Sequence, residues 1–333
     1  MTKIAVMGAG SWGTTFAKVL TDSGNDVTLW ARRTDVADEI NSEHRNGDYL
    51  PGIELPHDLK ASADVAEVLA GAEQVYIAVP SQSLRSSLLD WAPHLPADAI
   101  LVSLMKGVEK DTGLRMCEVI EAVTGFSKDQ ICVVSGPNLS LEIAAEQPTA
   151  SVAACESLEN AELVAKAASC AYFTTFTSKD VIGTEFGGIL KNLIAVAIGI
   201  VNGVGYGQNT KASIMTRGLA EMSRFSEAYG GKKKTMKGLA GLGDLIATAE
   251  SPLSRNHKAG EMLGKGYRLS EVVKRLSQTA EGLASIAPVL QLAEAKGIKM
   301  PIVEQVYAVM QGKMHPREIA PHLTHESDEP QSE

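Results

Sequence analysis

KIAVMGAGSWGTTFAKVLTDSG, residues 3–24, is the stretch on which the fold turns. KIAVM is a short β-rich apolar run. A glycine turn follows at once, and a helical pattern then runs to Ser23 before Gly24 stops it. GAGSWG (8–13) fits G-x-G-x-x-G with a strand before it and a helix after it, the context that gives the pattern meaning. In that setting Gly8 permits the tight turn, Gly10 lets the backbone approach a pyrophosphate, and Gly13 lets helix and strand pack closely. The free N–H groups at the helix start then face the phosphates. A purely structural β–α turn is the alternative.

Outward from this unit the first half repeats the alternation. VTLW (27–30), VYIAV (75–79), ILVSL (100–104), ICVVS (131–135), ASVAA (150–154) and YFTTF (172–176) read as strands, with helical stretches between most of them. Nearly continuous apolar runs suit a parallel sheet covered on both faces. The predicted class is therefore α/β: a doubly wound, Rossmann-like, mostly parallel sheet. After about residue 180 strand-like runs disappear. AEMSRFSEAYG, LSEVVKRLS, EGLASIAPVLQLAEAKG and PIVEQVYAVMQG read as helices punctuated by Gly or Pro. The expected layout is a nucleotide-binding domain over 1–184, an all-helical substrate domain over 185–325 and a disordered acidic tail over 326–333. No linker is evident, so the helix around residue 191 joins the domains directly.

The chain of 333 residues carries a net charge of −9, which argues against a nucleic-acid-binding face. The N-terminus does not read as a signal peptide, and the apolar run at 193–201 is too short to span a membrane. Four scattered cysteines without C-x-x-C suggest a reducing cytoplasm. No histidine pair has metal-ligand spacing on a helix, so no metal site is expected. The apolar helical half makes a homodimer an expectation.

Candidate ligand contacts follow the strand ends, where open α/β sheets bind ligands. An NAD site usually carries an acid after the second strand; here the sequence reads VTLWARRTD, with Arg32 and Arg33 in its place. Two guanidinium groups suit a 2′-phosphate. They predict a preference for NADP(H), or at least tolerance of it, with NAD(H) as the second cofactor. Two surface arginines in a loop are the alternative. After ILVSL comes Lys106, and after ICVVS come Gly136 and Asn138, which suit a polar anionic substrate. In the second half GLAGLGD ends in Asp244, and SPLSRN offers Ser254 as an N-cap with Arg255 and Asn256 entering a helix, a possible phosphate cradle.

EFGGILKNLIAVAIGI (185–200) places Lys191 in an apolar helix. Burial lowers a lysine pKa and an anion beside it raises it, so Lys191 is a candidate for proton transfer to a carbonyl or alcohol oxygen. A snorkelling lysine is the plainer reading.

GAGSWGT, LMKG, SGPN, EFGGILKN, AGLGDLIAT and SPLSRN occur in this order, and together they closely resemble the bacterial NAD(P)-dependent glycerol-3-phosphate dehydrogenase family. The resemblance covers the chain to about residue 325. It implies reduction of dihydroxyacetone phosphate to sn-glycerol 3-phosphate, the backbone of glycerophospholipids. It implies Lys191 as catalytic acid/base, and Lys106, Gly136, Asn138, Lys191, Asp244, Ser254, Arg255 and Asn256 at the substrate. It further implies Ser11, Trp12, Arg32, Arg33, Lys106, Ser140, Arg255, Thr279 and Glu281 along the cofactor. The family often reads GPTFAKE or GPSFAKE where this chain has GPNLSLE, so Asn138 replaces a hydroxyl residue and Ser140 an alanine. Thr279 stands where Val is frequent. Another two-domain ketone or hydroxyacid reductase, and a non-catalytic NADP-binding redox sensor, are the rival readings.

Overall fold

The structure, a computed structural model, describes residues 1–252, 254–276 and 280–319. The expected tail over 326–333 and Thr279 lie outside the described residues.

The chain runs β1 (Lys3–Met7), α1 (Ser11–Asp22), β2 (Asp26–Trp30), α2 (Thr34–Glu43), β3 (Lys60–Ser62), α3 (Val65–Leu69), β4 (Gln74–Ile77) and α4 (Leu84–Trp91). It continues through β5 (Ile100–Ser103), α5 (Met116–Thr124), β6 (Ile131–Ser135), α6 (Ser140–Ala144), β7 (Thr149–Ala154), α7 (Leu158–Ala167) and β8 (Phe173–Ser178). All later described elements are helical: α8 (Val181–Val204), α9 (Gln208–Ala228), α10 (Lys233–Met236), α11 (Asp244–Glu250), α12 (Arg255–Gly264), α13 (Leu269–Arg275), α14 (Glu281–Ala295) and α15 (Pro301–Met310). The boundary expected at 184/185 thus falls within α8.

The strands form one sheet in the order β3-β2-β1-β4-β5-β6-β7-β8. All neighbours pair in parallel except β6 with β7. This is the doubly wound arrangement expected from the sequence. The central strands β4, β5 and β6 are buried at every position, which explains their largely apolar composition, broken only by Gln74, Ser103 and Ser135. The sequence reading missed β3, because KAS is a three-residue edge strand too short and polar to show a period. With only α6 between them, β7 returns beside β6 in the opposite sense, pairing Ser135 with Val152. Gly136 then passes so close to β7 that a Cβ there would meet Ser151 Cα at 3.0 Å.

Helix α8 is the core of the second half, buried without interruption from Gly183 to Val201. It is long and apolar enough to cross a membrane by length and composition, but 83% of its most apolar window is buried within the protein. The sequence reading measured only residues 193–201 and so underestimated this helix. Its partner α12 lies backbone to backbone against it. A Cβ on Gly199 would meet His257 O at 2.2 Å and one on Gly203 would meet Glu261 O at 2.2 Å. In return, a Cβ on Gly260 would meet Val196 O at 2.1 Å and one on Gly264 would meet Ile200 O at 2.2 Å. Two glycine pairs, each four residues apart, allow this approach, and they fix where the start of α12 sits along α8.

Cys117, Cys132 and Cys155 are buried free thiols, and Cys132 and Cys155 meet across the β6–β7 joint.

Candidate active site

The glycine turn has a geometry that suits a phosphate cradle. Gly8 has φ +127°, which only glycine adopts readily, and a Cβ there would meet Ala78 O at 2.6 Å. A Cβ on Gly13 would lie 1.8 Å from Gly8 O, so the helix can approach the turn only without one. At Gly10 the same position is open, with nothing within 4 Å. Glycine here leaves free space in front of the first turn of α1, where Ser11, Trp12 and Gly13 have no intrahelical acceptor for their N–H groups. That geometry fits a dinucleotide pyrophosphate. Trp12 serves as an anchor: Nε1 donates to Leu104 O at 3.1 Å and the ring packs edge-on to Phe16. Ser140 begins α6, and its carbonyl accepts from Thr15 on α1 at 3.3 Å, tying the loop after β6 to the nucleotide helix.

The two arginines after β2 are not equivalent. Both are exposed. Arg32 has no hydrogen-bond or ion-pair partner among the described residues, whereas Arg33 pairs with Asp48 at 2.6 Å and with Asp35 at 3.2 Å.

At the carboxyl end of β5 and β6 three charged side chains from three elements converge. Lys191, on α8, lies 3.0 Å from Asp244 Oδ1 and donates to Thr248 Oγ1 at 2.6 Å. Lys106, after β5, lies 2.5 Å from Asp244 Oδ2 and donates to Gly136 O at 3.1 Å. Asp244 is 1% exposed, so one buried carboxylate serves two ammonium groups. Burial lowers the Lys191 pKa to about 8; Asp244 pulls it up and Lys106 pushes it down. Glycines make room for this convergence. A Cβ on Gly188 would meet Lys106 Cγ at 3.2 Å, and one on Gly187 would meet Ala240 O at 2.3 Å. EFGG therefore lets α8 slide under the LAGLG π-turn that precedes Asp244.

Around this centre the other expected residues fall into two groups. Ser254 is the N-cap of α12, accepting from His257 N at 3.2 Å, and Arg255 is that helix's first residue. Glu281 opens α14; burial raises its carboxyl pKa, while a backbone bond from Ser81 and the charges of Arg255, Lys106 and Lys191 lower it. These residues therefore belong to one electrostatic cluster. Asn256 is buried and bonded within the protein. Its Nδ2 donates to Asn192 Oδ1 at 2.8 Å and its Oδ1 accepts from Gly282 N at 3.0 Å, so its amide bridges α8, α12 and α14. Asn138 donates to Ser151 Oγ at 3.1 Å, while its Oδ1 is buried without a protein partner. Gly136 offers its carbonyl to Lys106.

Thr248 and Asn192 are members of the cluster that the sequence reading did not assign. Thr248 sits one turn after Asp244, at 3.2 Å from Oδ1. The i, i+4 spacing of two polar residues in DLIAT was the available signal.

Comparisons with known proteins cover nearly the whole chain. The family model for the NAD-dependent glycerol-3-phosphate dehydrogenase N-terminus matches residues 3–161, and that for the C-terminus matches residues 180–321. The glycerol-3-phosphate dehydrogenase [NAD(P)+] of Leifsonia xyli is 60% identical, the match covering 98% of this chain and 89% of that one. That of Corynebacterium diphtheriae is 53% identical over 92% of this chain and 93% of its own length. A crystal structure of glycerol-3-phosphate dehydrogenase from Coxiella burnetii superposes with a TM-score of 0.91 at 35% identity, covering 97% and 98% of the two chains. A ketopantoate reductase from Ralstonia eutropha, at 19% identity and a TM-score of 0.58, shares the fold alone. With both family models matched and relatives above 50% identity along nearly its full length, the chain belongs to the NAD-dependent glycerol-3-phosphate dehydrogenase family.

Proposed function

We propose that the chain reduces dihydroxyacetone phosphate to sn-glycerol 3-phosphate in the cytoplasm, with Lys191 as the proton donor, supplying the glycerophospholipid backbone. The observation that carries this reading is the sharing of Asp244 between Lys191 and Lys106. When bound, the nicotinamide supplies a hydride to the substrate carbonyl carbon. Lys191 Nζ polarises the carbonyl oxygen and gives it a proton as negative charge develops there. Asp244 supports the protonated lysine against its burial, and Thr248 holds Nζ in place. Two cations on one carboxylate leave an excess of positive charge, which favours an anionic substrate. The substrate phosphate, in turn, raises the Lys191 pKa and keeps the acid loaded. Ser254, Arg255 and the α12 N-terminus bind that phosphate, and the remote contact orients the ketone. Lys106, Gly136 and Asn138 line the substrate, and Asn256 supports the wall through Asn192. Ser11, Trp12, Arg32, Arg33, Ser140 and Glu281 line the cofactor, with NADP(H) preferred. A homodimer belongs to this reading, and sedimentation checks it.

The test is oxidation of NADPH on adding dihydroxyacetone phosphate, compared with dihydroxyacetone, ketopantoate and other non-phosphorylated ketones. Turnover restricted to the phosphorylated ketone supports the reading. Equal or better turnover of a carboxylate ketone overturns it in favour of a hydroxyacid reductase, and absence of any turnover favours a cofactor-binding sensor.

A further inference from the structure

The segment between α2 and β3 is held against the glycine turn by one buried side chain. Asn46 is fully buried, and its Nδ2 donates to Ala9 O at 3.0 Å and to Thr14 Oγ1 at 2.9 Å. Tyr49 and Leu50 donate their N–H groups back to Asn46 O at 3.2 Å and 2.8 Å, closing a turn. Leu50 and Leu55 then anchor the segment in the core. Asp48 lies inside this turn, so its position is fixed relative to the cofactor cradle. From there its carboxylate holds the Arg33 guanidinium at 2.6 Å, with Asp35 engaging the same group at 3.2 Å. Arg32, next to it, has no such partner among the described residues.

We propose that Asp48 is a cofactor-specificity residue, which acts through Arg33 by competing with the 2′-phosphate of NADP(H) for that guanidinium. The inference rests on the reading that the arginines after β2 face the adenosine ribose. Arg32 then supplies the standing attraction for a 2′-phosphate, and Arg33 joins it only by leaving Asp48. A 2′-hydroxyl, being uncharged, does not draw Arg33 away. The carboxylate therefore narrows the gap between NADPH and NADH, so the chain binds both. Asp48 is itself 59% exposed, so its ion pair is weak and open to competition, and replacing it leaves the core intact.

Calorimetric titration of Asp48→Asn with NADPH, NADH, adenosine 2′,5′-bisphosphate and 5′-ADP tests this, with no turnover required. The two 2′-phosphorylated ligands are expected to bind about three- to tenfold more tightly than to the wild type, and the other two within about twofold of it. The gain shrinks at high salt, as an exposed electrostatic effect must. Equal changes for both ligand classes, or none, overturn the inference while leaving the dehydrogenase reading intact. Arg32→Ala and Arg33→Ala serve as the companion variants. If neither alters the ratio of NADPH to NADH affinity, the arginine reading fails and the inference falls with it, whatever the activity on dihydroxyacetone phosphate.

Discussion

Lys191 Nζ stands 3.0 Å from Asp244 Oδ1 in the interior, while the other oxygen of the same carboxylate is taken by Lys106. The pair is thus not a closed ion pair but half of a shared one. Burial lowers the Lys191 pKa to about 8, with Asp244 pulling it up and Lys106 pushing it down, low enough to exchange a proton near neutrality.

The pH profile should report that value. Reduction needs the ammonium form, so kcat/KM, which reflects the free enzyme, falls as pH rises through about 8. The limb in kcat lies at higher pH, because the bound phosphate favours the charged lysine. Lys191→Arg should abolish both limbs, and Lys191→Ala should lower kcat by at least about 10²-fold. Near-normal kcat in Lys191→Ala removes Lys191 from the mechanism.

Asp244→Asn removes the largest influence that raises the Lys191 pKa, leaving only Glu281 to oppose burial and Lys106. The alkaline limb of kcat/KM should therefore move to lower pH, with activity reduced on the order of 10²-fold at pH 8. Unchanged limbs in steady-state rates would show that Asp244 does not set the proton affinity of Lys191.

Glu221 provides a separate pH prediction, on stability. It is 1% exposed on α9, accepts from Ile302 N at 2.7 Å at the start of α15, and burial raises its pKa to about 8 from 4.5. Between those values the folded chain holds more protons than the unfolded one, so stability falls as pH rises from about 4.5 to about 8. Glu221→Gln keeps an acceptor for Ile302 but cannot ionise. Its melting temperature should match the wild type near pH 5 and exceed it by roughly 5 °C near pH 8.5. Parallel melting curves at both pH values would contradict the assignment.

Gly260→Ala tests how the helix crossing supports the site. The new Cβ would lie 2.1 Å from Val196 O, so α12 must move off α8. The expected cost is ~1–3 kcal/mol of stability. Because Asn256 and Arg255 move with α12, KM for dihydroxyacetone phosphate should rise more than KM for NADPH. Equal rises in the two would mean the crossing supports only overall stability.

The sequence by itself determined the sheet and the glycine turn after its first strand. Both depend on short-range rules: apolar runs bounded by turns, and glycines at fixed spacing where a backbone must turn or approach. It also pointed to Lys191, because a charge in an apolar helix is conspicuous one residue at a time. What it could not contain was the pairing. Lys106, Lys191 and Asp244 lie far apart along the chain, and only the passage of α8 beneath the π-turn brings them onto one carboxylate. The same holds for Asn256, whose amide bonds to Asn192 and Gly282, and for Arg33, which Asp48 holds while Arg32 has no partner among the described residues. Residue type sets which contacts a side chain can make. Which contact it does make, and so its charge state, is decided by what the tertiary structure places within hydrogen-bonding distance.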